Sequence, residues 1–140
     1  MATLRQACNS ALRNYSSLTS LLPDGVNGII SAGMMKAGKI TPCVTLQMGP
    51  VGGGILRQPH YTELVFARVY YSQRAMGAPS FKDIDAIVEQ AIAALDDTGI
   101  TTEDDFTFKV QWEYTSGDLF DEVFRSDFRM MRFRAFRLRT

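Results

Sequence analysis

The chain has 140 residues, 46 % hydrophobic and 21 % charged, with 15 basic and 15 acidic side chains. This composition fits a single globular domain over 1–140 that can bury a core without disulfides or metal, and it excludes a disordered tract or a fibrous repeat. Zero net charge also argues against a dedicated nucleic-acid binder, whose footprint is usually basic overall.

Residues 3–22 read as one helix, because Leu4, Ala7, Cys8, Ala11, Leu12, Tyr15 and Leu18 recur at steps of three and four. Thr3 with Gln6 gives a capping-box signature, and Pro23-Asp24-Gly25 ends the helix. Residues 24–40 are studded with glycine, and Ile29-Ile30 offers a short strand. A strand follows from Pro42 to Met48, and the run Gly49 to Gly54 predicts a loop that orders only against a partner. Tyr61 to Ser72 is a longer strand whose apolar centre suits cover on both faces. Residues 81–96 form the second helix, with Phe81, Ile84, Ile87, Val88, Ala91, Ile92 and Leu95 on one face and Ser80 as N-cap. Asp83 and Asp85 suit the positive end of its dipole, and Gly99 marks its exit.

From Phe106 to Tyr114 the chain alternates, with Phe106, Phe108, Val110, Trp112 and Tyr114 on the side expected to be buried. Ser116-Gly117-Asp118 breaks that strand, and 119–126 is expected to be a link. The last strand, Phe128 to Arg139, mixes large apolar residues with Arg129, Arg132, Arg134, Arg137 and Arg139. Its apolar parity changes at Met130-Met131 and at Ala135-Phe136, each predicting a bulge or a re-aimed face. The order is helix-strand-strand-helix-strand-strand. It predicts an α+β fold: a mainly antiparallel sheet of about four strands with two helices packed on one face.

No catalytic set is visible. His60 is the only histidine and has no partner at a useful spacing. The Gly49–Gly54 run and the Gly33–Ile40 segment lack the Gly-Lys-Ser/Thr ending of a phosphate loop. Glu103, Asp104 and Asp105 match no calcium loop and read as a solvated turn. Cys8 and Cys43 have neither disulfide nor metal spacing and are expected to be small buried hydrophobes. These readings predict a non-enzyme with no cofactor and no metal. The first residues lack the apolar run of a signal peptide and no stretch reaches membrane-span length, so a reducing cytoplasm, or a particle assembled in it, is the expected location.

Charge is segregated along the chain. Asp96, Asp97, Glu103, Asp104, Asp105, Glu113, Asp118, Asp121, Glu122 and Asp127 fall in one stretch, opposed only by Lys109 and Arg125. The arginines of the last strand, with Lys36, Lys39 and the glycines Gly52, Gly53 and Gly54, are the candidate contact residues. Three readings of the arginines stand open. They meet phosphates of a nucleic acid, carboxylates of a neighbouring subunit, or partners within the chain such as Glu113 on an adjacent strand.

The layout resembles the tail-terminator (tail-completion, minor tail) proteins of long-tailed bacteriophages. The parts that carry the resemblance are an opening amphipathic helix ending in Leu21-Leu22-Pro23 and the strand Pro42-Cys43-Val44-Thr45-Leu46. After a glycine loop come the strand Glu63 to Tyr71, the helix Asp83 to Leu95, and two closing strands, the last rich in arginine and aromatics. The resemblance implies a small α/β fold and a ring of identical subunits, usually a hexamer. That ring caps the tail tube and presents a surface to the neck or head-completion protein. It implies a location in the virion tail or neck, no catalysis, no cofactor and no membrane, and DNA only as the molecule passing through the ring. The neighbouring role, a head-completion or stopper protein, and a nucleic-acid-binding domain are the alternatives.

Overall fold

A computed structural model describes residues 4–31, 42–52, 62–71, 81–96, 98–101, 107–124 and 126–137. The strands β1 (Ile29–Ser31), β2 (Cys43–Gly52), β3 (Thr62–Tyr71), β4 (Thr98–Thr101), β5 (Thr107–Thr115), β6 (Leu119–Asp121) and β7 (Ser126–Arg137) form one sheet. Its order is β1-β2-β3-β7-β5-β4, and β6 pairs with β7 beyond the end of β5. All pairings are antiparallel except β1 with β2, which is parallel. The sheet is therefore larger than the four strands expected. The three strands without a periodic signal, β1, β4 and β6, have only three or four residues each, too few for alternation to register.

Among the described residues three helices lie against one face: α1 (Leu4–Arg13), α2 (Ser16–Thr19) and α3 (Phe81–Leu95). The single helix expected over 3–22 is in fact α1 and α2, separated at Tyr15, which is extended (φ −91°, ψ 95°). Asn14, Ser16 and Ser17 are weak helix formers, and the break swings Leu18 fully into the core. The expected cap at Thr3 lies outside the described residues. After α2 a 3-10 turn over Gly25–Gly28 begins with Gly25 at φ +59°, a conformation that favours glycine.

One core joins helices and sheet. Leu4, Cys8 and Leu12 of α1 and Ile87, Val88, Ala91 and Leu95 of α3 pack with Val44, Leu46, Val65, Ala67, Val69, Phe108, Val110, Met131, Phe133 and Ala135. β2, β3, β5 and β7 each contribute alternate residues, as a pleat requires. Both cysteines are free and buried. Burial, reinforced by the charge of Glu63, pushes the Cys8 thiol up to about 12. Burial with Asp24 pushes Cys43 up to about 11.

Three further expectations are corrected. The glycine run does not begin a loop at Gly49, because β2 continues to Gly52 across a register shift between Met48 and Val51. Gly49 is required there by close approach: a Cβ at that position would run into the Phe66 ring and meet Leu64 Cβ at 3.0 Å. Second, β7 keeps continuous register with β3 from Asp127 to Phe136, so of the bulge or re-aimed face expected at each doublet there is no bulge; the apolar residues change face, Met131 and Ala135 in the core and Met130 and Phe136 on the opposite side. The irregularity lies in its neighbour β5, between Trp112 and Tyr114. Third, that bulge ends the apolar row of β5: Trp112 pairs with buried Phe133, but Tyr114 pairs with Arg132, and both Trp112 and Tyr114 are exposed.

Candidate interaction surface

Residues paired across a sheet share a face, so the register assigns the arginines. Met131, Phe133 and Ala135 of β7 point at the helices. Phe128, Met130, Arg132, Arg134 and Phe136 therefore point to the opposite, open face, with Leu64, Phe66, Arg68 and Tyr70 of β3 beside them. Arg68 pairs with Met130, Phe66 with Arg132 and Leu64 with Arg134. The result is a checkerboard of guanidinium and apolar groups. Gly52, at the end of β2, pairs with Thr62.

The candidate residues do not form one strip. Arg129 has the parity of the helix face. Its Nη1 donates to Asp85 Oδ1 of α3 at 2.6 Å and its Nε to the Ser116 carbonyl at 3.3 Å. The backbone of Arg137 pairs with Phe108. Its side chain, and Arg139, Gly53, Gly54, Lys36 and Lys39, lie outside the described residues, as does His60.

On the open face Arg132 and Arg134 share one carboxylate, that of Glu113. Arg134 Nε donates to Glu113 Oε2 at 3.0 Å. Arg132 Nε lies 3.3 Å from Glu113 Oε1, close enough to pair but out of line for a hydrogen bond. Arg68 Nε is buried with no acceptor; its guanidinium carbon stands 5.5 Å from the centre of the Phe128 ring. Phe128 in turn stacks on Tyr70, with centroids 5.2 Å apart. Beside Arg68 a shallow hollow of about 380 Å³ is lined by Gln47, Met48, Gly49, Phe66, Arg68 and Met130.

The acids of the later half are built into this framework. Asp121 accepts from the Tyr70 hydroxyl at 3.2 Å and from the backbone N–H groups of Val123 and Phe124 at 2.9 and 3.1 Å. Asp118 accepts from the Tyr71 hydroxyl at 2.7 Å. Burial, with Asp118 and Asp127 nearby, raises the Tyr71 phenol above its ordinary range. Burial also raises Tyr70, partly offset by Arg68. Asp96, at the end of α3, accepts from the backbone N–H of Trp112 at 2.8 Å.

Sequence reasoning missed the far end of this edge. Trp112, Tyr114, Leu119, Phe120 and Val123 are all exposed, although large apolar residues in a strand pattern read as core. Among the described residues no group of His, Cys, Asp and Glu could hold a metal ion, and no helix is long and apolar enough to cross a membrane.

No protein-family model matches the chain, and no curated protein matches it. Among solved structures the fold is shared with a chain of "Virion of native gene transfer agent (GTA) particle", at a TM-score of 0.70 and 15 % sequence identity, over 96 % of this chain and 93 % of that one. At that identity the likeness establishes the shared architecture.

Proposed function

We propose that this chain is a structural protein of a phage-like virion, and within that class a ring-forming tail terminator that caps the tail tube and joins it to the head or neck. The observation that carries the reading is the shared fold with a chain of a gene transfer agent virion across nearly the full length of both chains. The sequence resemblance to tail terminators supplies the finer role. Its partners would be copies of itself, closing a ring, usually a hexamer, the tail-tube protein below and a neck or head-completion protein above. It would assemble in the host cytoplasm and reside in the virion tail or neck. In this reading the protein catalyses no reaction and takes no cofactor; its work is recognition between subunits. Arg132 and Arg134, half-exposed on the open face, then serve as contact groups for carboxylates of a neighbour.

The test is assembly. Purified protein measured by light scattering and negative-stain imaging should show a closed ring, and added to growing tail tubes it should bind tube ends and stop elongation. A strict monomer that ignores tube ends would refute the proposal. A ring that binds the portal side of the neck but not tube ends would favour the stopper role.

One observation supports a second reading, nucleic-acid contact. Phe128 and Phe136 share the arginine face, Phe136 exposed and Phe128 half-buried against Tyr70, so guanidinium and aromatic groups stand together as they do on single-strand binding platforms. Filter binding across a salt series separates the two, because phosphate contacts weaken steeply with salt.

A further inference from the structure

The open face holds a guanidinium that has no carboxylate against it among the described residues. Arg68 Nε is out of contact with water and makes no hydrogen bond there, and the group stands over the Phe128 ring. Beside it lies the hollow of about 380 Å³, walled by Met48, Phe66 and Met130, with Gln47 as its other polar side chain. That volume is at the low end of small-molecule pockets, about 300–1,000 Å³, and the hollow is shallow, so it suits one inserted side chain. Arg68 and Asp121 both act on the Tyr70 hydroxyl, but Asp121 gives its Oδ1 to two backbone N–H groups. The group that fits is therefore an anion on an apolar stem. A polyanion fits poorly, because it needs a track of free cations, and the next guanidinium groups, Arg132 and Arg134, already share Glu113.

The same chain presents such a group at its aromatic corner. The turn after β6 is held from within: Asp121 accepts from the N–H groups of Val123 and Phe124 at 2.9 and 3.1 Å, and the Phe124 ring packs edge-on against Tyr70, with centroids 6.0 Å apart. What the turn shows outward is Glu122, exposed and without a hydrogen bond or ion pair among the described residues. It is flanked by Val123, 75 % exposed, and Phe120, 58 % exposed. Isolated exposed apolar residues are ordinary; two large ones around a free carboxylate on a fixed turn mark a contact site. Because the turn is already fixed, little ordering entropy is lost when it docks.

We infer that the Phe120–Val123 turn of one copy of this chain docks in the Arg68 hollow of a second copy, with the Glu122 carboxylate on the Arg68 guanidinium. The inference rests on the ring reading above and names the contact that builds the ring. The carboxylate supplies the acceptor that Arg68 Nε lacks, as a charge-assisted hydrogen bond. Phe120 and Val123 cover the apolar wall, where Met48 and Met130 can adapt their shape to them. Charge sets partner and orientation, and burial of the apolar flanks holds the pair. Turn and hollow are different patches, so the contact is heterologous. Each copy offers one of each, and the series closes into a ring when the rotation permits.

The test uses two variants of the full chain, Glu122→Lys and Arg68→Met, followed by sedimentation velocity. Circular dichroism melts check the fold, and Met130→Glu, which puts an acid on the wall of the hollow, stands in should Arg68→Met melt early. Each variant by itself should associate roughly tenfold or more weakly than the parent, as loss of central contact residues does. A second measurement reads the contact directly. Val123→Cys and Met130→Cys proteins, mixed under mild oxidation, should form a disulfide-linked dimer of one of each, since Cys8 and Cys43 are buried and do not compete. Either charge variant assembling like the parent overturns the inference. So does a mixture that yields no mixed dimer. A Glu122→Lys protein that still self-assembles but loses tube ends or DNA assigns the turn to another partner and equally overturns it. A parent protein that is monomeric at every concentration is a different result: it removes the ring reading itself, and this contact with it.

Discussion

Alkaline pH should destabilise the protein through its two buried thiols, by an amount that follows from their positions. Cys8 is fully enclosed between α1 and the core and Cys43 lies beneath the Tyr70 cluster. In the folded chain burial holds them protonated to about 12 and about 11, against 9.0 for a free thiol. A group whose pKa is raised by folding contributes stability that is complete below its unfolded pKa and is lost as pH rises toward the folded value. Above pH 9 the unfolded chain sheds these protons while the folded chain keeps them. At pH 10 each thiol then costs about 1.4 kcal/mol of stability and the pair about 3 kcal/mol. Urea unfolding at pH 8, 9 and 10 would measure this, with the double variant Cys8→Ala, Cys43→Ala as control. The parent should lose about 3 kcal/mol more than the control between pH 8 and 10, since both share the tyrosine titrations. Equal losses in the two proteins would show that the thiols are not held out of water, and the packing described around α1 and β2 would be wrong.

Phe133, buried at the centre of β7, should cost about 3–5 kcal/mol when changed to Ala, read as a shift in urea midpoint. Gly49→Ala should cost about 1–3 kcal/mol because the new methyl displaces the Phe66 ring and crowds Leu64; a neutral result would mean that β2 does not cross β3 there. Asp121→Ala frees two backbone N–H groups and the Tyr70 hydroxyl, and should cost about 1–2 kcal/mol and raise hydrogen exchange at Val123 and Phe124. Arg129→Ala removes the ion pair with Asp85, whose carboxylate is 61 % exposed, so thermal melts should show a loss of only about 0.5–1 kcal/mol.

The parts of this fold that were legible in the sequence are those with enough residues for a period to show. α3 has fifteen residues with one apolar face, and β3 follows its expected bounds to within a residue at each end. What escaped detection depended on events one or two residues long. The split at Tyr15 needs only one extended residue, and the bulge near Glu113 turns one side chain. That bulge decides the site. By stepping out of register, β5 presents Glu113 to Arg132 and Arg134 and hands Tyr114 to the open face. The doublet Met130-Met131 was ambiguous for a related reason: two apolar neighbours in a strand do not say which faces the core. Read alone, it fits a bulge or a re-aimed face in β7; in the sheet there is no bulge, Met131 is core and Met130 joins the arginines. The aromatic corner was illegible because hydrophobicity marks a residue for burial without saying in which molecule.

The open face makes the strongest physical case for a partner, because its donors are not all satisfied among the described residues. Arg132 and Arg134 share the Glu113 carboxylate, and the Nε atoms of Arg68 and Arg132 are out of contact with water and make no hydrogen bond among the described residues. A buried donor left unmade costs about 1–3 kcal/mol; at Arg132 the charge of Glu113, 3.3 Å away, offsets part of that cost, and at Arg68 the Phe128 ring does. The neighbouring rings of Phe66 and Phe128 lower the local dielectric and strengthen any anion that arrives. An acceptor from outside, carboxylate or phosphate, would therefore meet half-exposed guanidinium groups whose Nε atoms at Arg68 and Arg132 are already out of water. The two differ in what salt does to them. A carboxylate seated against the rings at short range is screened little, whereas a polyanion bound through released counterions loses affinity with a steep logarithmic slope. Replacing Glu113 by Gln separates them further. It releases two more guanidinium groups on the same face, so DNA affinity at low salt should rise severalfold if phosphate is the ligand. If a subunit carboxylate is the ligand, assembly should strengthen and persist at high salt; a variant that changed neither would leave the arginines with a purely internal role.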